Sequence, residues 1–310
     1  MQKKKTIALT YGDPKGIGLE ILNKLIAEGS LTEFFSNNDF VIFGSTDLID
    51  IPTNQKAFIQ VHNIPNLPEE SGAHSFLCLD NAINFCLNLC LSPNNSLAGL
   101  VTGPISKERW SQAGHKWTGQ TELLGFKSKY SPEMLFVAKD WKVLLLTRHI
   151  ALKDVVQTLS KHRFESAVLT LKKFLKEKYS LNNPKIALAG LNPHAGDNGE
   201  IGTEEIDYLK AWCEELEIEG PFSPDDIWIR SSKDYLRNNK QEFDAYLAPY
   251  HDQVLPLIKT ITNFEAVNVS IGLPFLRTSP DHGTAFHLVG TGKADCKPFL
   301  EAIKLCSELS

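Results

Sequence analysis

Seven short apolar runs, most of them rich in strand-forming residues, punctuate the chain, and many of the intervals between them have a helical pattern. The runs are TIALTYG (6–12), FVIFGS (40–45), LAGLVTGP (97–104), KVLLLTRH (142–149), KIALAGLNPH (185–194), AYLAPYHD (245–252) and AVNVSIGLPF (266–275). In FLCLDNAINFCLNLC (76–90) apolar residues recur at three- and four-residue steps, and TEEIDYLKAWCEELEI (203–218) opens with acids that suit a helix N-terminus. Strands alternating with helices predict an α/β protein whose sheet is largely parallel and covered on both faces. Stretches SPNNS (92–96), SLNNP (180–184) and EGPFSPDD (219–226) read as linkers, and no internal repeat is evident.

At 310 residues, with 42% hydrophobic and 22% charged residues, the chain has room for about two domains and a sizeable core. A net charge of -5 argues against general nucleic-acid binding, which needs a basic surface to displace counterions. The start, MQKKKTIALTYGDP, lacks the apolar stretch of a secretory signal, and no run approaches the roughly 20 apolar residues that span a bilayer. Six cysteines without a CxxC pair read as reduced, mostly buried thiols, and Cys86 and Cys90, one helical turn apart, as core rather than metal ligands. The expected location is the cytoplasm.

Three of the nine histidines share one context. His149 ends KVLLLTRH, His194 follows KIALAGLNP and His251 follows AYLAPY, each at the C-terminal end of an apolar run, where open α/β sheets hold their ligands. A single histidine there is commonly a hydrogen-bonded structural residue. Three together suit a catalytic divalent metal, zinc in particular, with a coordination position left for substrate. A closed structural zinc site recruits thiolates, and no cysteine lies near any of the three in sequence. Asp252, beside His251, reads either as a carboxylate that orients an imidazole or bound water, or as a surface group.

YGDPKGIGLEI (11–21) joins a strand to a helix through three glycines, as an anion-binding turn or merely a tight one, and its spacing is not G-x-G-x-x-G. GLNPHAGDNGEIGTEEI (190–206) and GLPFLRTSPDHGTAFHLVGTGKAD (272–295) are glycine-rich loops of the kind that carries contacts. Lys259, Asn268 and Arg277 fall nine residues apart, which by itself does not bring them together.

GDPKGIGLE, VTGPISK, AGHKWTGQTELLG, GLNPHAGDNGEIGTEE, YHDQVLPLIK and GLPFLRTSPDHGTAFHLVGTGKAD, in that order over nearly the whole chain, resemble the 4-hydroxythreonine-4-phosphate dehydrogenase (PdxA) family. The first loop and HGTAFHLVG are also similar to the isocitrate and isopropylmalate dehydrogenases. The resemblance implies two α/β/α domains with a cleft between them, residues 1–128 with 258–310 carrying cofactor and substrate-anion contacts and 129–257 carrying the metal histidines and dimer contacts. It implies a homodimer with the active site at the subunit interface and His149, His194 and His251 as metal ligands, His251 from the partner. Zinc is the expected ion, with magnesium or cobalt as alternatives. Gln120, Thr121, Lys259, Asn268 and Arg277 would hold a small phosphorylated substrate. His282, Gly283, Thr284 and His287 would contact NAD or NADP, and Lys259 and Asp252 would serve catalysis.

The implied reaction is oxidation of 4-phosphooxy-L-threonine followed by loss of CO2, in pyridoxal 5′-phosphate synthesis. The nearest alternative substrate is threonate or erythronate 4-phosphate. Gln120 replaces the family's usual histidine, His287 a common aspartate, and Lys15, Leu19 and Val254 the usual alanine, proline and glycine.

Overall fold

The computed structural model describes residues 4–67, 70–93 and 96–310. Residues 1–3, residues 68–69 and the Asn94–Asn95 pair of SPNNS lie outside them. In chain order the strands are β1 (Lys5–Thr10), β2 (Asn38–Gly44), β3 (Ile59–Asn63), β4 (Leu97–Thr102), β5 (Glu133–Ala138), β6 (Trp141–Leu145), β7 (Ile186–Ala189), β8 (Glu219–Phe222), β9 (Ala245–Ala248), β10 (Val267–Ile271) and β11 (Arg277–Pro280). The chain divides into two compact units, Met1–Pro132 with Val267–Ser310, and Glu133–Ala266.

In the first unit the strands run in the order β3-β2-β1-β4-β11-β10. All neighbours are parallel except β10 and β11, which pair antiparallel, with Asn268 opposite Ser279 and Ser270 opposite Arg277. Helices Ser71–Leu91 and Lys297–Glu308 pack on these strands. The first buries Cys78, Leu79, Ala82, Ile83 and Cys86 along one face, against Ala8, Phe43 and Leu100. That spacing of one, three and four residues is a helical stripe. Truncating a fully covered member such as Leu79 to alanine costs about 2–5 kcal/mol. Cys90 is half-buried, and its thiol donates to the Pro274 carbonyl (3.4 Å).

In the second unit the order is β5-β6-β9-β7-β8, antiparallel between β5 and β6 and parallel thereafter. Its core gathers Trp141, Val143 and Leu145 of β6 with Ala187, Tyr246 and Ala248 from the neighbouring strands. The predicted helix over 203–218 starts instead as a π-helical turn, Glu205–Leu209, and continues as α-helix only over Lys210–Glu215.

Both expected boundaries are displaced, the first by four residues, since 129–132 belong to the first unit. Residues 258–266, read with the first domain, belong to the second unit. The physical reason is helix Leu255–Ile261, which starts with a proline in its first turn and anchors Leu255 and Ile258 in that core beside the fully buried Val254. Lys259 rides on this helix and is therefore carried by a different unit from Asn268 and Arg277. Val254, unexplained by sequence, is a core residue beneath the His251 turn.

Candidate active site

Parallel strands β6, β9 and β7 lie side by side, with β9 in the middle, and the segments leaving their C-terminal ends carry His149, His251 and His194. The turns after β6 and β9 are tied together, because the Thr147 hydroxyl donates to the Pro249 carbonyl (2.7 Å) and the Thr147 amide donates to the same oxygen (3.1 Å). The His149 and His251 rings come within 5.3 Å, centroid to centroid. His251 Nδ1 lies 2.6 Å from Asp252 Oδ1. A carboxylate only accepts, so Nδ1 is the donor in this contact, and in the neutral ring that tautomer leaves the lone pair on Nε2. The turn after β9 is joined to the end of β7 by Gln253, whose amide donates to the Gly190 carbonyl (2.7 Å).

His194 stands on a different kind of backbone. Residues 194–199 have φ values of 52, 53, 82, 44, 57 and 96°, a continuous left-handed turn. Four of these residues carry side chains, and the left-handed conformation costs each roughly 1–2 kcal/mol. Such cost persists only where surrounding contacts over-determine the backbone, a situation concentrated at functional sites. His194 Nδ1 lies 3.5 Å from Asp225 Oδ2, and the Ser223 hydroxyl, with a smaller contribution from His194, holds the Asp225 carboxyl below its usual range. Among the described residues no three His, Cys, Asp or Glu side chains of one chain converge as a metal-binding group.

The first unit holds a buried cation. Arg277, on β11, is 3% exposed, and its guanidinium donates to Thr102 Oγ1 (2.7 and 3.1 Å), Ser270 Oγ (3.2 Å) and Gln120 Oε1 (3.4 Å). Every one of these acceptors is neutral. Burial pushes the guanidinium down to about 10, opposed by the negative charge of Glu122. A desolvated cation supplied only with neutral acceptors gains most from an anionic ligand. A further anion-binding feature lies on the same unit: helix Gln120–Ser128 starts without a side-chain cap, with buried Thr121 in its first turn. Asn268 keeps a buried Oδ1 without a hydrogen-bond partner, an acceptor suited to a hydroxyl or ammonium donor. Gln120 is fixed by donating to the Gly103 carbonyl (2.9 Å), which aims its oxygen at Arg277. A protonated imidazolium in its place would face that cation with like charge.

The loop 282–292 docks on the first glycine turn. The Ile17 amide donates to the Thr284 carbonyl (3.0 Å), and the Gly290 amide donates to Glu20 (2.8 Å). A Cβ at Gly16 would stand 3.0 Å from the Thr284 oxygen, so glycine permits the approach. His282 Nδ1 lies 3.0 Å from the Gly283 carbonyl, and His287 is exposed. Arg109 lies 4.2 Å from the Phe286 ring centre and donates to Ser71 Oγ (2.9 Å) and to the fully buried Asp13 (3.3 Å). A cavity of about 530 Å³ opens here, lined by Lys15, Glu70, Ser71, Gly72, Arg109 and Gln112, among others.

Residues 12–306 match the family model described as pyridoxal phosphate biosynthetic protein PdxA. The chain belongs to the PdxA family. It is 37% identical to the 4-hydroxythreonine-4-phosphate dehydrogenase of a Nostoc species, over 98% of this chain and 92% of that one. It is 32% identical to the D-threonate 4-phosphate dehydrogenase of Pectobacterium atrosepticum, over 99% of both chains. The crystal structure of the 4-hydroxythreonine-4-phosphate dehydrogenase from Klebsiella pneumoniae superposes with a TM-score of 0.81 at 30% identity, covering 99% of this chain and 98% of that one. A β-decarboxylating dehydrogenase from Thermococcus kodakarensis shares the fold alone, with a TM-score of 0.52 at 12% identity over 98% of this chain and 83% of that one.

Sequence reasoning singled out His149, His194, His251 and Arg277 but missed the groups that hold them. Thr102 and Ser270 were legible as hydroxyls inside otherwise apolar strand runs. Arg109, Asp13, Gln253 and Glu205 gave no local signal, since their partners are distant in the chain. Among the described residues no helix is long and apolar enough to cross a membrane.

Proposed function

We propose that this PdxA-family chain oxidises 4-phosphooxy-L-threonine with NAD or NADP in a divalent-metal-dependent reaction, the β-keto acid then losing CO2 to give 3-amino-2-oxopropyl phosphate for pyridoxal 5′-phosphate synthesis. The observation that carries this reading is the placing of His149, His251 and His194 beyond three neighbouring parallel strands, in a chain whose relatives bear the name of that dehydrogenase.

The donor set fits a divalent ion. Imidazoles suit zinc, with magnesium or cobalt as alternatives, and the Asp252 contact leaves Nε2 of His251 able to ligate. A second protomer in a homodimer would complete the set of three, its copy of His251 joining His149 and His194 of this chain and placing the active site at the subunit interface. When bound, the ion would supply Lewis-acid polarisation of the alcohol and carbonyl oxygens, and the nicotinamide would accept the hydride.

The first unit, in this reading, contributes substrate-anion and cofactor contacts. Arg277, Gln120, Thr121 and Asn268 hold the phosphate or carboxylate, and the loop with His282, Gly283, Thr284 and His287 holds the cofactor. The second unit contributes the imidazoles, with Asp252 orienting His251 and Lys259 moving a proton. The site of action is the cytoplasm.

A second reading, oxidation of threonate or erythronate 4-phosphate, is favoured by the Pectobacterium relative and by Gln120 in place of histidine. Turnover assays of the purified protein with 4-phosphooxy-L-threonine and D-threonate 4-phosphate, each with NAD and NADP and with and without chelator, separate the two. Turnover of the threonate phosphate alone would overturn the first reading.

A further inference from the structure

The left-handed turn that carries His194 has backbone bonds of its own, the Glu200 and Ile201 amides donating to the Asp197 and Gly196 carbonyls (3.2 and 3.1 Å), and these do not fix how it leaves β7. Gly199, Gly196 and the four residues with side chains between positions 194 and 198 all sit at positive φ. The turn is entered through Leu191 and Asn192, which follow β7, so the direction in which His194 leaves the strand depends on how those two residues are fixed.

Both are fixed by one carboxylate. Glu205 is 3% exposed, and its Oε1 accepts the backbone amides of Leu191 and Asn192, each at 2.8 Å. Its Oε2 accepts the side-chain amide of Asn192 (2.8 Å), and the same amide donates to Glu204 (2.7 Å). The Asn192 carbonyl in turn accepts from the amide of Ala195, the residue after His194 (3.1 Å). Gly202 keeps room for this contact, because a Cβ there would lie 2.4 Å from Asn192 Nδ2. Glu205 opens the π-helical turn Glu205–Leu209, the wider helical form often found at functional sites.

We propose that Glu205 is a positioning residue: through Asn192 its buried carboxylate sets the left-handed turn that presents the His194 imidazole. The part concerning a metal rests on the function proposed above; the part concerning the turn does not. Glu205→Gln tests the charge and the acceptor geometry with little change of shape. The glutamine oxygen still accepts the two backbone amides, but its NH2 faces the NH2 of Asn192, donor against donor.

Two measurements on the full-length protein test the proposal. Amide hydrogen exchange of residues 191–199 in metal-free protein is expected to quicken at least tenfold in Glu205→Gln while exchange in β6 and β9 stays at wild-type rates; unchanged exchange at 191–199 would overturn the proposal. Titration with Co2+, followed by its visible absorption, is expected to show affinity weakened about 10–100-fold in Glu205→Gln, with Glu205→Asp intermediate. Wild-type affinity and spectrum in folded Glu205→Gln would also overturn it. If the wild-type protein and His149→Ala both fail to bind Co2+, the proposed metal site falls instead, and the exchange measurement alone decides on Glu205.

Discussion

His149 and His251 face each other at 5.3 Å between ring centres, on turns that leave neighbouring parallel strands and share the Pro249 carbonyl as a common anchor. Two imidazoles held by the scaffold, with a third after the next strand, make the ends of β6, β9 and β7 the centre of this account. Chelation should therefore abolish turnover while the far-ultraviolet circular dichroism and cooperative unfolding persist, since both units have full apolar cores. Unfolding on chelation would show a structural ion instead.

Arg277 gives a prediction that separates binding from stability. Arg277→Met should raise KM for the phosphorylated substrate by about 100-fold or more, from the loss of a charge-assisted contact. The thermal midpoint of the free protein should hold or rise, because the variant no longer buries a cation whose acceptors are all neutral. Steady-state kinetics beside thermal unfolding reads both effects. A KM near wild type would remove Arg277 from the anion contacts.

Gly16 tests the cofactor side. Gly16→Val should press on the Thr284 carbonyl and loosen the loop 282–292, raising KM for NAD or NADP several-fold, with a smaller change for the phosphorylated substrate. Kinetics with each substrate varied in turn measures the ratio. Equal effects on both would mean that the loop does not serve the cofactor.

The buried His74 sets a pH dependence of stability. The Tyr11 hydroxyl lies 2.6 Å from its Nε2, its Nδ1 lies 2.9 Å from the Pro65 carbonyl, and burial pushes the imidazole below its ordinary value of about 6.5. Between the folded value and 6.5 the unfolded chain binds more protons, so stability rises with pH through that window. It is therefore present above about pH 6.5 and lost as the pH falls below it. Urea unfolding at pH 7.5 and 5.5 should show a larger loss in the wild type than in His74→Gln.

Much of this was legible in the sequence, and what was not has physical causes. The seven strand runs are apolar because they are covered, and the three histidines stand out because each ends such a run. Four strands were missed, three of them because they lack that signature. β3 is largely exposed, β8 contains glycine and proline, and β11 reads RTSP. β5 does carry an apolar run, MLFVA, behind an opening glutamate that is buried and clasped by Arg163 through two bonds of 2.6 Å. Lys259 was assigned to the wrong unit because the packing of its helix is decided by residues far away in the chain. Nothing local in TEEIDYLK distinguishes Glu205, whose partners lie 13 and 14 residues earlier.

The most direct test is anomalous diffraction from crystals grown with zinc. One ion is expected within about 2.0–2.1 Å of a ring nitrogen from each of His149, His194 and His251, with the set closed across two protomers. An ion bound elsewhere, or three rings too far apart to share one even between neighbouring protomers, would contradict the account.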